Sequence, residues 1–593
     1  MKPAPGVMNH PLPRLSLILL GFFSACGSDT TDVDEDGYSP PADCDDANGE
    51  VHPASTEACN GIDDNCDGAV DEGIATDAVV WYGDADGDTF GAPGPTLVAC
   101  TAPAGWVANA DDCDDTQPEV HPEASEVCGN GIDDDCDGAP GACRRTGRMS
   151  AAEADVVLIG PWLTSAGFMV RLGDIAGDAA QEVLIGEPGV YDGGCASAVW
   201  GAVWPFGADR MPIADLPLRV CDEENQGVGT DIGVGDLDGD GQEDLLIGMP
   251  NAAISDPNEG AIGLWYGPMA VGDTAWWTAD SRLQGGAGAY LYGTGVAVGD
   301  FDADGQDDVV AAAYADHTSL TSAGAVYAFR GPVARWIYRD RAEADVTIHG
   351  DTTNQYFGAR IHTLPDIDQD GDDELVVAGP HEDAGGLTDA GVVRVYTDIL
   401  GGDSTVADAD FAVNGTSVSE GLGWVSDAGD INGDGLGDLV IGTPDGGDDS
   451  GVVLVWFGPM AGVEDAVPAV ADFSILGTDP YGHLGHAVGV DDVDGDGQVD
   501  LLVGTLALDA GITDEGYLLV FYGPLSRGSV GAGDADLVIE GVEPGGRFGY
   551  GEPHAGDVDG DGVPDLVVAA PMADMLGLNS DSGAVYVFRG LGL

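Results

Sequence analysis

The decapeptide GDLDGDGQED, residues 235–244, returns in related form through most of the chain, and its recurrence decides the fold. Counted from Asp236, it offers carboxylates at positions 1, 3, 5 and 9 and a glycine at position 6. The copies begin at Asp174, Asp236, Asp300, Asp366, Asp430, Asp492 and Asp557, at intervals of 62, 64, 66, 64, 62 and 65 residues. A period that regular means one supersecondary unit per copy. Alternating aspartates in a tight loop turn their oxygens inward, the glycine allows the sharp bend, and such oxygen donors select hard cations, calcium above all. Position 12 is Ile247 and the flanks read as strands, so the loop is not an EF-hand.

On this template Asp236, Asp238, Asp240 and Asp244 form a complete calcium site, as do Asp300, Asp302, Asp304 and Asp308. The pattern continues with Asp366, Asp368, Asp370 and Glu374, and with Asp430, Asn432, Asp434 and Asp438. Asp492, Asp494, Asp496 and Asp500 follow, then Asp557, Asp559, Asp561 and Asp565. The first copy keeps only Asp174, Asp178 and Glu182, with Ala176 at position 3 and Ala179 at position 6. Six good sites and one weak or empty one are expected.

Around each loop the same events recur, clearest in the last unit: DLVIEG, RFGYGEPHAGD, the loop, LVVAAP, then GAVYVFRG. Runs such as DLLIGMP and LVIGTP are aliphatic and bounded by Gly or Pro, as buried strands are. Four strands per unit, repeated seven times over residues 153–593, predict an all-β, seven-bladed propeller whose closure removes free edges. One terminal strand is expected to complete the sheet at the other end. The pairs Phe357-Gly358, Tyr481-Gly482 and Phe548-Gly549 before the loops, with IGMP, AGPH, IGTP and AAPM after them, resemble FG-GAP repeats, the units of the integrin α head. The resemblance implies a calcium-bound propeller that presents loops for recognition.

The formal net charge is −88, from 18 Lys plus Arg against 106 Asp plus Glu, which excludes nucleic acid as a partner. At 44% hydrophobic and 21% charged the balance is still that of a folded protein. Residues 15–23, LSLILLGFF, follow Lys2 and Arg14 and read as the core of a signal peptide over 1–26. The run ends in Phe23-Ser24-Ala25-Cys26, which resembles a bacterial lipobox with Cys26 as the lipidated residue and 27–31 as a tether. An outer-membrane or cell-surface lipoprotein is the expectation, with a periplasmic or secreted protein as the alternative. Contact with the membrane is expected only through the lipid.

Eight of the eleven cysteines fall between Cys44 and Cys143, in two related modules, 32–75 and 80–147. Each has an aspartate cluster (Asp32, Asp34, Asp36; Asp84, Asp86, Asp88), a DCDD sequence and a closing DNCDG or DDCDG. Small, turn-rich domains of this kind rely on crosslinks and metals, and an exported chain favours disulfides. Asp63, Asn65, Asp67 and Asp71 repeat the 1, 3, 5, 9 register and are a further candidate calcium site; the matching stretch of Asp133, Asp135 and Asp137 has Gly141 at the ninth position. The modules resemble the MopE-type metal-binding motif, some of whose members are linked to copper. His52 and His121, each in a Val-His-Pro triplet, are the candidate transition-metal ligands, although the preferred reading of both is as surface histidines in a turn. Cys195 and Cys221 are read either as a disulfide between neighbouring elements or as buried thiols.

No HExxH, GxSxG or P-loop is present, and His483 and His486 in GHLGH read as structural or surface residues. The expected function is a calcium-binding surface platform for adhesion or capture of an extracellular protein or glycan. The alternatives are a metal-acquisition protein that holds copper, and an enzyme on polysaccharide with its pocket at the ring centre.

Overall fold

An apolar run that does not alternate must be covered on both faces, because successive side chains of a strand point to opposite sides. Strand Asp244–Met249, DLLIGM, is buried throughout. Leu245 and Ile247 enter one hydrophobic layer and Leu246 the next. In the computed structural model this arrangement repeats around a ring. The structure describes the chain outside residues 1–30, 74, 123, 125–135, 137–144, 162–164, 179, 189–194, 200–209, 222–225, 255–258, 271, 287–289, 401–404, 419, 447–449, 507–514, 576–581 and 591–593. Cys26 with its signal segment, Asp133, Asp135, Asp137 and Ala179 lie outside the described residues.

The chain forms two compact units, the second holding the repeats. Among the described residues that unit has seven sheets of four or five strands. Seven hydrophobic layers fill the spaces between them, one for each neighbouring pair of sheets. The innermost strands, Met169–Gly173, Ile232–Gly235, Gly295–Gly299, Arg360–Leu364, Val425–Gly429, Ala487–Asp491 and His554–Gly556, touch in a closed circuit. This is a β-propeller. Its closure is made by Val156–Ile159, which pairs antiparallel with Ala584–Phe588, so a strand from the start of the array finishes the last sheet.

The sheets are out of phase with the sequence repeats. DLVIEG reads as the head of the last unit, but Leu537–Glu540 pairs with Tyr517–Phe521 and is the outer strand of the sheet before. Each repeat thus hands its first strand to its predecessor. Four strands per unit were also too few. Six of the seven sheets carry a fifth short strand, bound in parallel on the outer edge, as Gly272–Ala275 is on Leu218–Cys221. It covers backbone groups that an outer strand would otherwise expose.

The two glycines of the repeat signature have one steric cause. In the unit of the Asp492 loop the structure places Leu484-Gly485, not Tyr481-Gly482, where Phe357-Gly358 stands in its own unit; Gly485 takes a positive φ of 81°, and its carbonyl lies where a Cβ on Gly442 would come within 2.1 Å. Any side chain at Gly442 would push neighbouring sheets apart.

The N-terminal unit has a three-stranded sheet in the order Thr96–Ala99, Val79–Gly83, Trp106–Val107. Its buried hydrophobic residues among those described are Val51, Ala75 and Val120, so crosslinks carry the fold. Cys44 pairs with Cys66, Cys59 with Cys100 and Cys113 with Cys136; Cys128 and Cys143 lie outside the described residues. In the propeller Cys195 and Cys221 are disulfide-bonded, facing each other across paired strands of a single sheet.

Candidate metal sites and an axial cavity

In each acidic loop the first aspartate builds the turn. Asp236 accepts the Asp240 N–H at 3.0 Å and the Gly241 N–H at 2.8 Å, and Asp300 and Asp557 do the same one and five loops on. That fixes the backbone and leaves the third position aimed inward. Oδ1 of Asp238, Asp302 and Asp559 is buried without a hydrogen-bond partner. Asp236, Asp238 and Asp240 bring oxygens within 4.8 Å of one another, and so do Asp366, Asp368, Asp370 and Glu374. Arginines reach the same carboxylates from outside: Arg335 pairs with Asp238 and Asp240, Arg330 with Asp302, and Arg589 with Asp559.

The ninth position, a carboxylate in each loop, has a second office in the structure. Asp244 Oδ2 accepts the Leu237 N–H at 2.9 Å, and Oδ1 accepts the Gly267 N–H at 2.7 Å. Asp308, Asp438, Asp500 and Asp565 peg their loops to the closing glycine turn in the same way. Burial pushes Asp308 up to about 6, Asp244, Asp438, Asp500 and Asp565 up to about 7, and Glu374 up to about 9. The eighth position, passed over in the sequence, clasps neighbouring sheets: Asp307 accepts the Asp236 N–H, Asp373 the Asp300 N–H and Glu243 the Asp174 N–H. Replacing Asp308 by Ala strands the Phe301 and Gly331 N–H groups, so Asp308→Ala should cost about 3 kcal/mol in urea unfolding.

The first loop keeps this scaffold with fewer acids. Asp174 accepts the Gly177 and Asp178 N–H groups, and Glu182 accepts that of Ala176. In the N-terminal unit Asp63 accepts the Asp67 and Gly68 N–H groups and Asn65 that of Asp67, which reproduces the propeller turn. Asp71 is drawn elsewhere, accepting the Asn60 and Gly61 N–H groups. His52 lies flat on Tyr38, with centroids 4.9 Å apart, and its Nδ1 accepts the Ala54 N–H. His121 stacks on Phe90 at 5.1 Å.

A polar layer on the ring axis went unread in the sequence. Strand register makes Arg171, Gly233, Ala297, His362, Asp427, Gly489 and His554 equivalent, each opposite the residue two past its loop's ninth position. Four of these seven places carry an ionisable side chain where the others carry none. Phasing the repeats on the ninth position would have found them. They line a channel of about 240 Å³. Arg171 pairs with Glu552 and lies 3.0 Å from His554 Nε2, and His554 Nδ1 is 3.3 Å from Asp491. Burial opposes it, but Arg171, His362 and Arg360 hold Glu552 down at about 2. Burial drives Asp427 up to about 7 and His362 down to about 4.

Glu552 also borders a wider cavity of about 510 Å³, which Arg360, Trp424, His483, His486, Arg547 and Tyr550 help to line. The GHLGH histidines therefore face this cavity. His486 packs on Tyr550 at 3.8 Å, and burial lowers it to about 4; Arg547 lies over the Tyr550 ring at 5.1 Å.

Comparison with known proteins agrees with this architecture. FG-GAP repeats are matched at residues 228–265, 292–329, 357–396, 422–456 and 551–588, and the copper-binding MopE type of metal-binding motif at 43–72 and 112–140. Integrin alpha-PS2 of Drosophila melanogaster is 32% identical over 176 residues, 28% of this chain and 12% of the relative. Phosphatidylinositol-glycan-specific phospholipase D of Mus musculus is 31% identical over 203 residues, 32% of this chain and 24% of the relative. Integrin alpha-IIb of Homo sapiens is 39% identical over 113 residues, 18% of this chain and 10% of the relative. The chain thus spans about a quarter or less of the length of these relatives. No helix among the described residues is long and apolar enough to cross a membrane. The all-β chain carries five FG-GAP repeats in its propeller and two MopE-type metal-binding motifs ahead of it, and part of it is similar in sequence to integrin α chains.

Proposed function

We propose that the protein is an exported, surface-held ligand-binding platform, in which calcium in the six full loops stiffens the propeller and recognition takes place at the axial cavity. The observation that carries this reading is the cavity's composition. In a chain of net charge −88, two of its few cationic side chains, Arg360 and Arg547, border one concave site beside Trp424 and Tyr550. About 510 Å³ lies within the usual range of small-ligand pockets, roughly 300 to 1,000 Å³. Guanidinium groups select carboxylates, and aromatic faces take the apolar side of a ligand. The ligand class that fits is the acidic unit of an extracellular glycan or protein.

A binding screen of acidic and neutral glycans and surface proteins, run with calcium, tests this. Binding of an acidic ligand is expected, weakened at least about tenfold by Trp424→Ala or Arg547→Ala. Retention of wild-type affinity in both variants would remove the axial site.

The linked side chains Arg171, Glu552, His554 and Asp491 also favour a second reading, an enzyme acting on such a glycan, since they join an acid, a cation and an imidazole beneath the same cavity. Release of shortened product, lost in Glu552→Gln while ligand still binds, would favour turnover over capture.

A further inference from the structure

The N-terminal unit carries a separate feature, independent of the axial reading. Both aspartate runs precede the matched motifs: Asp32, Asp34 and Asp36 in one module, and Asp84, Asp86 and Asp88 in the other. The two are built alike. The Asp36 and Asp88 N–H groups each donate at 3.3 Å to the aspartate two residues before. The Tyr38 and Phe90 N–H groups donate at 2.8 Å to Asp36 and Asp88. These two aromatic residues are the ones on which His52 and His121 stack.

The first aspartate of each DCDD sequence, Asp43 or Asp112, is the buried member of the module. Each neighbours a disulfide, Cys44–Cys66 or Cys113–Cys136, and its Oδ1 accepts the N–H two residues on, at 2.9 Å and 2.8 Å. Asp43 is 4% exposed and Asp112 2%. Asp112 presents an oxygen within 4.8 Å of Asp86 and Asp88, and Asp32, Asp34 and Asp36 are gathered as closely.

The remaining oxygens have no donor. One oxygen each of Asp32, Asp34, Asp36 and Asp43 is buried without a hydrogen-bond partner, and so is one each of Asp86, Asp88 and Asp112. A buried carboxylate left unpaired is strongly unfavourable. Residues 31–124 contain no lysine or arginine, so no permanent cation of this segment can answer them. The histidines do not take that part, since their rings stack on Tyr38 and Phe90, and His52 Nδ1 is occupied by the Ala54 N–H. The balancing charge must come from solution. An all-oxygen donor set of three or four carboxylates suits calcium rather than copper.

We propose that Asp32, Asp34, Asp36 and Asp43 hold one hard divalent cation of the calcium class, and that Asp86, Asp88 and Asp112, with Asp84 and Asp115 gathered beside Asp86, hold a second. Each site is assembled from a run outside the matched motif and the first aspartate of the DCDD sequence within it, and the disulfide beside that aspartate keeps it in place. These two ions are additional to those of the propeller and to the Asp63 loop.

Bound calcium on the full chain, counted by emission spectrometry after gel filtration in about 10 µM free calcium, tests this. Asp43→Asn and Asp112→Asn should each lose one ion and the double variant two, with thiol titration showing intact disulfides; exposed Asp445→Asn should lose none. A double variant that keeps the wild-type count overturns the proposal. Where Asp43→Asn impairs closure of Cys44–Cys66, Asp34→Asn leaves the buried carboxylate in place and should weaken one site about tenfold. Unchanged calcium affinity in Asp34→Asn overturns the proposal as well.

Discussion

Stripping divalent cations from the chain with EGTA should lower its melting temperature by about 10 °C or more, and the loss should grow as the pH rises from 5 to 8. One ion held at about a hundred times its dissociation constant contributes about 2.7 kcal/mol, and six loops are candidates. The pH dependence follows from the ninth-position carboxylates. Their ordinary value is 3.8, and burial raises Asp308 to about 6 and Asp244, Asp438, Asp500 and Asp565 to about 7. Between those limits the folded, calcium-free chain binds more protons than the unfolded one, so its stability falls as pH rises through the window. Calcium reverses the trend, because ionised carboxylates bind it and protonated ones do not. Thermal scans at pH 5 and pH 8, with calcium and with EGTA, read all four states. Equal transitions with and without calcium at pH 8 would contradict the cation-held loop.

Leu158→Ala should be among the most damaging single truncations, at about 2 to 5 kcal/mol, and Leu158→Asp should prevent accumulation of folded protein. Leu158 is fully buried, pairs opposite Val585, and lies in the layer between the last sheet and the first. A cavity there weakens the closing junction between the two ends of the array, and an unpaired charge there opens it. The same change at exposed Val463, Val463→Ala, should be close to neutral, since that side chain is 66% exposed. Urea unfolding of the two alanine variants and the soluble yield of Leu158→Asp check this, and a Leu158→Ala loss no greater than that of Val463→Ala would mean that Val156–Ile159 does not close the ring.

The loops and strands were legible because each is local. The register Asp236, Asp238, Asp240 needs only chain geometry, and runs such as DLLIGM declare burial on both faces. The offset between repeat and sheet was not legible, because every unit has the same strands whichever one is counted first. Only the pairing of Leu537–Glu540 with Tyr517–Phe521 fixes the phase. The axial layer was hidden for a related reason: Arg171, His362, Asp427 and His554 lie about 60 or more residues apart and become neighbours only when the ring closes. The N-terminal donor sets were half visible. The runs at Asp32 and Asp84 stood out, but that Asp112 reaches Asp86 and Asp88 depends on a fold-back across a hairpin.

Anomalous scattering from crystals grown with calcium replaced by terbium tests the central claim, that the acidic loops are cation-held joints, most directly. The account predicts a peak in each of the six loops that begin at Asp236, Asp300, Asp366, Asp430, Asp492 and Asp557, with a weak peak or none at Asp174. Loops without peaks, their third-position carboxylates turned out to solvent or held by arginine alone, would contradict it.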